Sequence, residues 1–120
     1  MLDSNGYIRI IDYGLARILA SDELAMSHCG TTEYFAPEVI KKKGHDRMVD
    51  WWATGILIYE MIFGVTPFFK ENKHEMLKDI LDKPLVFPEL ESPYSEQMQD
   101  LVRRLLERDP RERIGQQNGA

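Results

Sequence analysis

The chain has 120 residues, 43% of them apolar, and carries 15 basic against 20 acidic side chains, a formal net charge of −5. These values fit one folded domain with a real core. The acidic balance argues against nucleic acid as the main partner, because neutralising phosphates requires a basic face. The most basic run, Lys41-Lys42-Lys43, is predicted to be a solvated helix end.

Cysteine content and hydropathy bear on the compartment. Cys29 is the only cysteine, so no intrachain disulfide can form, and the histidines stand at no zinc-binding spacing from it. The longest apolar stretch, Trp51 to Tyr59, is too short to span a bilayer, and Met1-Leu2 opens no signal peptide. We therefore expect the protein to have no membrane span. We expect it to lie in a reducing compartment, the cytoplasm and in addition the nucleus.

Residues 1–12 are predicted to form a β-hairpin. Asn5-Gly6 is a tight-turn signal because both residues tolerate positive φ, and the run from Tyr7 to Asp12 is rich in strand-forming residues. Only Met1-Leu2-Asp3 would remain of the first strand. Because a domain rarely begins halfway through a hairpin strand, we expect this sequence to start inside a longer domain.

The rest of the chain is predicted to be a long loop followed by helices. Residues 15–35 lack periodicity, which is typical of a functional or mobile loop. Residues 36–40 suit a short helix with Pro37 in its first turn. Met48 to Gly64 is apolar on nearly every face, which predicts a helix at the centre of the domain that ends at Gly64.

Two further helices have clear start signals. Asn72 opens the first through a capping box with Glu75, and Pro84 limits its length. Ser95 caps the second, whose apolar residues recur at helical spacing: Met98, Leu101, Val102, Leu105 and Leu106. Asp109-Pro110 is predicted to stop it.

Short signatures along the chain occur together in one known family. They are Asp12-Tyr13-Gly14, the run from Gly30 to Glu38, the run from Asp50 to Gly55, Pro67-Phe68-Phe69, Phe87-Pro88, and the run from Arg108 to Gly115. Because these signatures follow one another in the family's order, the chain resembles the C-terminal lobe of an AGC-group serine/threonine protein kinase over nearly all of its length. The resemblance implies a mainly α fold: a kinase C-lobe fragment with an N-terminal β-hairpin remnant, a long activation loop and a buried central helix.

The implied activity is phosphoryl transfer from Mg-ATP to Ser or Thr of protein substrates. This chemistry needs a divalent metal that bridges the ATP phosphates, held by hard oxygen ligands. By resemblance Asp12 is that ligand and contacts the cofactors ATP and Mg²⁺, whereas a plain turn carboxylate is the alternative. Tyr13 stands where the family usually has Phe.

Ser27 resembles the activating phosphorylation site of the group, which implies an upstream activating kinase as a partner. Phosphate there would order the loop through basic groups, and Arg17 matches one of them. Ser21 and Thr31 are rival sites. Thr31 also resembles a structural threonine that contacts the catalytic Asp of the family.

The substrate side of the family site maps to four residues. His28, Thr32 and Phe35 resemble the pocket for the residue after the phosphoacceptor, with Thr32 in place of a common Pro. Glu60 matches a carboxylate that pairs with substrate arginines in some members, and internal pairing is an equal alternative.

Other matched residues have structural roles in the family. Glu38 and Arg113 resemble a buried ion pair, whose disruption leaves one charge buried alone. Asp50 resembles the helix carboxylate that holds the backbone of the catalytic loop. Trp51 and Trp52 are expected in the core.

Several kinase parts have no counterpart in the sequence. They are the glycine-rich phosphate loop, the strand lysine with its helix glutamate, and the catalytic loop with its Asp base and Asn. We therefore expect residues 1–120 to be a partial kinase domain without N-lobe or catalytic loop, inactive alone. It would be a fragment of a functional kinase. Alternatives are a catalytically inactive module that binds substrates or regulators, or a half that complements another chain.

Overall fold

The computed structural model describes residues 1–20, 23–27, 29–89 and 94–116. In these ranges the chain forms a 3-10 turn at Thr32–Tyr34 and the helices α1 (Pro37–Ile40), α2 (Met48–Phe63), α3 (Lys73–Asp82) and α4 (Glu96–Leu105). Pairing of extended segments within them is limited to isolated antiparallel bridges at Leu2–Ile8 and Ala25–His45. The prediction of a mainly α fold is confirmed.

The N-terminal segment turns at the predicted place. Gly6 has a φ of 84°, and the Asp3 carboxylate accepts the backbone N–H groups of Asn5 and Tyr7 at 2.9 and 3.0 Å. These N–H groups, that of Tyr7 foremost, lower the pKa of Asp3 against the raising effect of burial. Pairing stops at a single bridge between Leu2 and Ile8, because two strands without a covering layer are barely stable.

Helix α2 begins and ends where the sequence predicts. The Asp46 carboxylate accepts the N–H of Met48 at 2.8 Å, and Gly64 ends the helix with a φ of 76°. Its buried stripe faces the core, but Leu57 and Met61 on another side are 47% and 73% exposed. The predicted position at the centre of the domain therefore describes one side of α2, while the side of Leu57 and Met61 is exposed.

The core lies where α2 packs against α4. Gly55 makes this approach possible, because a Cβ there would lie 2.8 Å from the Leu105 Cβ. Trp52 is fully buried and stacks on Phe68 at a centroid distance of 6.3 Å, whereas Trp51 is half-buried. Around this contact the core contains the buried residues Ala36, Val39, Ile56, Tyr59, Met76, Ile80, Val102 and Leu106.

Helices α3 and α4 are capped by the predicted side chains. The side-chain Oδ1 of Asn72 accepts the N–H groups of His74 and Glu75, and the Ser95 hydroxyl accepts the N–H of Met98 at 3.2 Å. Helix α4 ends at Leu105, before the predicted stop, and its apolar face buries against α2. Across the described part of the chain, the helices are all too short or too polar to cross a membrane.

Candidate functional site

The segment that leads to the 3-10 turn folds over the start of α2. Ala25 and His45 exchange both backbone hydrogen bonds, at 2.7 and 2.9 Å, and Ala25 is buried. This bridge closes one side of a cavity of about 660 Å³, lined by loop residues and by the first turn of α2. We call it the loop cavity.

Two of the predicted regulatory residues line the loop cavity without touching each other. Ser27 is exposed, and Arg17 donates to the carboxylate of Glu23 rather than to Ser27. The same carboxylate accepts the N–H of Ala20 at 3.3 Å. The Arg17 guanidinium, which the family resemblance assigns to a phosphate on Ser27, is therefore paired with Glu23.

Asp50 extends from α2 toward both the loop cavity and a smaller neighbouring cavity of about 190 Å³. The smaller cavity, which we call the inner cavity, is also lined by Ser27, Thr31 and Phe35. Partial burial raises the pKa of Asp50, and the opposing charge of His45 lowers it. Its side-chain oxygens accept no hydrogen bond from the described residues.

Asp12 lies outside both cavities. It has a φ of 63°, uncommon for a residue with a side chain, and its carboxylate accepts the N–H of Gly14 at 3.3 Å. Glycine suits position 14 because a Cβ there would crowd the Asp12 carboxylate, at 3.2 Å from its Oδ1.

The donor chemistry at Asp12 fits one ligand of a magnesium ion. Mg²⁺ is commonly held by one or two carboxylates together with phosphates and water. Within the described ranges no three His, Cys, Asp or Glu residues cluster as a complete metal site. Asp12 would supply one oxygen, and a nucleotide and other groups would have to complete the coordination.

Glu60 is paired inside the protein. Its carboxylate accepts the hydroxyl of Tyr34, a bond that, followed by burial and nearby acidic charge, raises the pKa of Tyr34 to about 12. The neighbouring Glu33 accepts the hydroxyl of buried Thr66 at 3.1 Å. These contacts fix the 3-10 turn, which begins at Thr32, against α2 and the loop after it.

The remaining predicted residues fall into two groups. Phe35 is half-buried and packs against the core, and Thr31 is exposed with its carbonyl accepting the N–H of Tyr34 at 3.1 Å. His28, like the rival phosphosite Ser21, lies outside the described residues.

Glu38 and Arg113 meet in a buried, bidentate ion pair. Arg113 Nη1 and Nη2 donate to the two Glu38 oxygens at 2.7 and 3.0 Å, and Nη1 also donates to the Met48 carbonyl at 2.7 Å. The guanidinium lies over the Trp52 ring, 5.3 Å from its centroid. The pair joins α1, α2 and the C-terminal segment.

Three contributors were not predicted from the sequence. Glu23 and Tyr34 are the partners of Arg17 and Glu60, and His45 lines both cavities through its bridge to Ala25. Acidic and aromatic residues in an aperiodic loop have no pattern that predicts their partners. The proximity of Glu23 to Arg17 in the sequence is the one signal that could have indicated their pairing.

Comparison with known proteins gives the family. Residues 1–119 match the protein kinase domain family. The chain is 43% identical over its whole length to serine/threonine protein kinase ypkA of Aspergillus fumigatus, and covers 19% of that protein. It is 42% identical over its whole length to cAMP-dependent protein kinase type 3 of Saccharomyces cerevisiae, covering 29% of it. It is 40% identical over 98% of its length to serine/threonine-protein kinase Sgk1 of Xenopus tropicalis, covering 28% of it.

The chain therefore belongs to the protein kinase family, and its relatives are AGC-type serine/threonine kinases. The resemblance predicted from the signature motifs is confirmed. The chain spans less than a third of the length of each of these relatives.

Proposed function

We propose that these residues are the C-terminal lobe part, from the activation segment onward, of an ATP-dependent AGC-type kinase that phosphorylates Ser or Thr of protein substrates. The observation that carries the proposal is the gathering of Ser27, Thr31, Phe35 and Asp50 around the inner cavity. By resemblance to the family, Ser27, Thr31 and Phe35 belong to the activation segment, and Asp50 is the carboxylate on the helix below it. A reducing compartment, the cytoplasm and in addition the nucleus, is proposed as well, because Cys29 is the only cysteine.

Asp12 is proposed as one ligand of Mg²⁺ in the complex with ATP. It stands exposed at a tight backbone turn, where a phosphate-bound metal could reach its free oxygen. Catalysis of this kind depends on positioning and electrostatics contributed by several groups. We therefore propose that the 120-residue chain alone is inactive and that the remaining groups come from other parts of the kinase.

Ser27 is proposed as the site that an upstream kinase phosphorylates. A phosphate there would add nearly two negative charges at the rim of the loop cavity, within the region that contains Arg17 and Arg47. Arg17 would then exchange Glu23 for the phosphate.

The pocket for the residue after the phosphoacceptor is proposed to involve His28, Thr32 and Phe35. Support comes from the half-buried ring of Phe35 at the inner cavity and from the position of Thr32 at the start of the 3-10 turn. Glu60 would contribute to substrate arginine recognition only by sharing its carboxylate with Tyr34.

The proposal is tested with the full-length protein, radiolabelled ATP, magnesium and a mixed basic peptide substrate. Label on serine or threonine of the peptide, found after acid hydrolysis, is the expected result. Absence of transfer, after activation by an upstream kinase and with nucleotide binding verified, would contradict it. That outcome would favour the alternative of an inactive module that binds substrates or regulators.

A further inference from the structure

A third concave surface lies beside α1. It is a cleft of about 600 Å³ between the turn that follows α1 and the segment that follows α4. Lys41, Lys43 and Arg108 line it, with an apolar floor that includes Leu24 and Pro110. We call it the basic cleft.

The backbone places two of three consecutive lysines in the basic cleft. Lys42 has a φ of 55° and Gly44 a φ of 79°, so the chain reverses directly after α1. The N–H of Lys43 still bonds to the Glu38 carbonyl at 3.3 Å, which holds the turn on the helix. Lys41 and Lys43 line the cleft as a result, and Lys42 does not.

The carboxylates around the cleft are already engaged. Glu38 is held by Arg113, and Asp46 accepts the N–H of Met48. Asp109 accepts both the backbone and the side chain of Arg111, which lowers the pKa of Asp109 to about 2. Glu38 and Asp109 are therefore each balanced by an arginine. Asp46 accepts only a backbone N–H, so it keeps its negative charge and offsets one of the three remaining cations of the cleft.

The three remaining cations lack acidic partners. Within residues 1–20, 23–27, 29–89 and 94–116, Lys41, Lys43 and Arg108 form no ion pair. Arg108 is fixed by its own contacts, since its Nε donates to the Ile80 carbonyl at 3.0 Å and its Nη2 to the Lys83 carbonyl. A fixed guanidinium and two ammonium groups thus surround one apolar floor.

We propose that the basic cleft is a docking site for an acidic peptide segment of a protein partner. Complementary charge favours such a partner, and the apolar floor fits an aliphatic side chain between carboxylates. Nucleic acid is disfavoured because three unpaired cations in a chain of net charge −5 give too small a basic face. Leu24 of the floor belongs to the loop assigned to activation, but Lys41, Lys43 and Arg108 lie outside the residues assigned to catalysis and activation. The inference therefore does not depend on the proposed kinase activity.

The consecutive lysines provide a matched experiment in the full-length protein. Binding of a fluorescein-labelled Glu-Glu-Leu-Glu-Glu peptide is followed by anisotropy for the wild type and for the variants Lys41→Glu, Lys42→Glu and Lys43→Glu. We expect Lys41→Glu and Lys43→Glu each to raise Kd about fivefold, and Lys42→Glu less than about twofold, since the same charge change then falls outside the cleft.

Two further arms test the nature of the ligand. The Gln-Gln-Leu-Gln-Gln peptide should bind at least about tenfold more weakly, and added salt should weaken binding of the acidic peptide. Equal losses at all three lysines would overturn the proposal, because the attraction would then be diffuse. Displacement of the peptide by millimolar inorganic phosphate or by an oligonucleotide of equal charge would also overturn it, in favour of a simple anion site or a nucleic-acid surface.

Discussion

Arg113 and Glu38 form a bidentate ion pair between positions 75 residues apart in the chain. Arg113 is 1% exposed and Glu38 8%, so neither charge can be solvated if the other is removed. The Arg113 Nε also donates to the Glu107 carbonyl at 2.9 Å, which fixes the segment after α4. This single side chain therefore connects both ends of the helical unit.

Loss of the Arg113 charge is predicted to be severely destabilising. Arg113→Ala leaves the Glu38 carboxylate buried and unpaired, and we expect the free energy of unfolding to fall by about 3–5 kcal/mol. Urea unfolding followed by circular dichroism measures it. The control is Arg104→Ala, whose exposed partner Asp100 lies 3.7 Å away on α4. That change should cost less than about 1 kcal/mol, and equal costs at the two sites would contradict the account.

Replacement of Gly55 by Ala is predicted to separate α2 from α4. The added Cβ would lie 2.8 Å from the Leu105 Cβ and from the Leu106 Cδ2. We expect a loss of about 1–3 kcal/mol from overpacking, although Ala favours a helix more than Gly does.

The control for Gly55→Ala is Gly64→Ala. Gly64 has a φ of 76°, and an added Cβ there would meet no heavy atom within 4 Å, so that change tests backbone strain without a clash. Thermal melts of both variants separate the two effects. A Gly55→Ala variant as stable as the wild type would show that the helices are not in close contact.

The Tyr34–Glu60 bond is predicted to make the free energy of unfolding fall at alkaline pH. The folded-state pKa of Tyr34 is about 12, above its ordinary value of 10.0. The Tyr34 hydroxyl therefore loses its proton at a lower pH in the unfolded chain than in the folded protein. The stabilisation by the bond is complete below about pH 10 and is lost as the pH rises to about 12. Urea midpoints across this window should fall more steeply for the wild type than for Tyr34→Phe. Tyr7→Phe, at an exposed tyrosine, should keep the wild-type slope.

Phosphorylation of Ser27 is predicted to activate the full-length protein. Ser27→Ala should lower kcat/KM by at least about tenfold after treatment with the upstream kinase, the effect of losing one charge-assisted hydrogen bond to the loop. Ser4→Ala, in the exposed N-terminal turn, is the control. Mass spectrometry that finds the phosphate on Thr31, with full activity in Ser27→Ala, would assign activation to another residue.

The helices were predictable because their start and stop signals are local. Asn72 and Ser95 cap α3 and α4 through their own side chains, and Gly64 ends α2 in a left-handed conformation. Each signal acts within one turn of the backbone, so no knowledge of the tertiary fold was needed.

The contacts of the site were less predictable because they depend on distant parts of the chain. The family resemblance suggested the pairing of Glu38 with Arg113, but periodicity could not. The engagement of Arg17 by Glu23 depends on how an aperiodic loop folds. The exposure of Met61 could not be predicted, because hydropathy does not say which faces of a helix a neighbouring element covers.

The assignment of Asp12 as a magnesium ligand is tested most directly by substitution in the full-length protein. Peptide phosphorylation is measured with Mg-ATP for the wild type, for Asp12→Ala, and for Asp82→Ala, an exposed carboxylate on α3. We predict that Asp12→Ala lowers transfer by at least about a hundredfold, because the metal loses a ligand, while Asp82→Ala keeps wild-type activity. Undiminished transfer by Asp12→Ala would contradict the assignment.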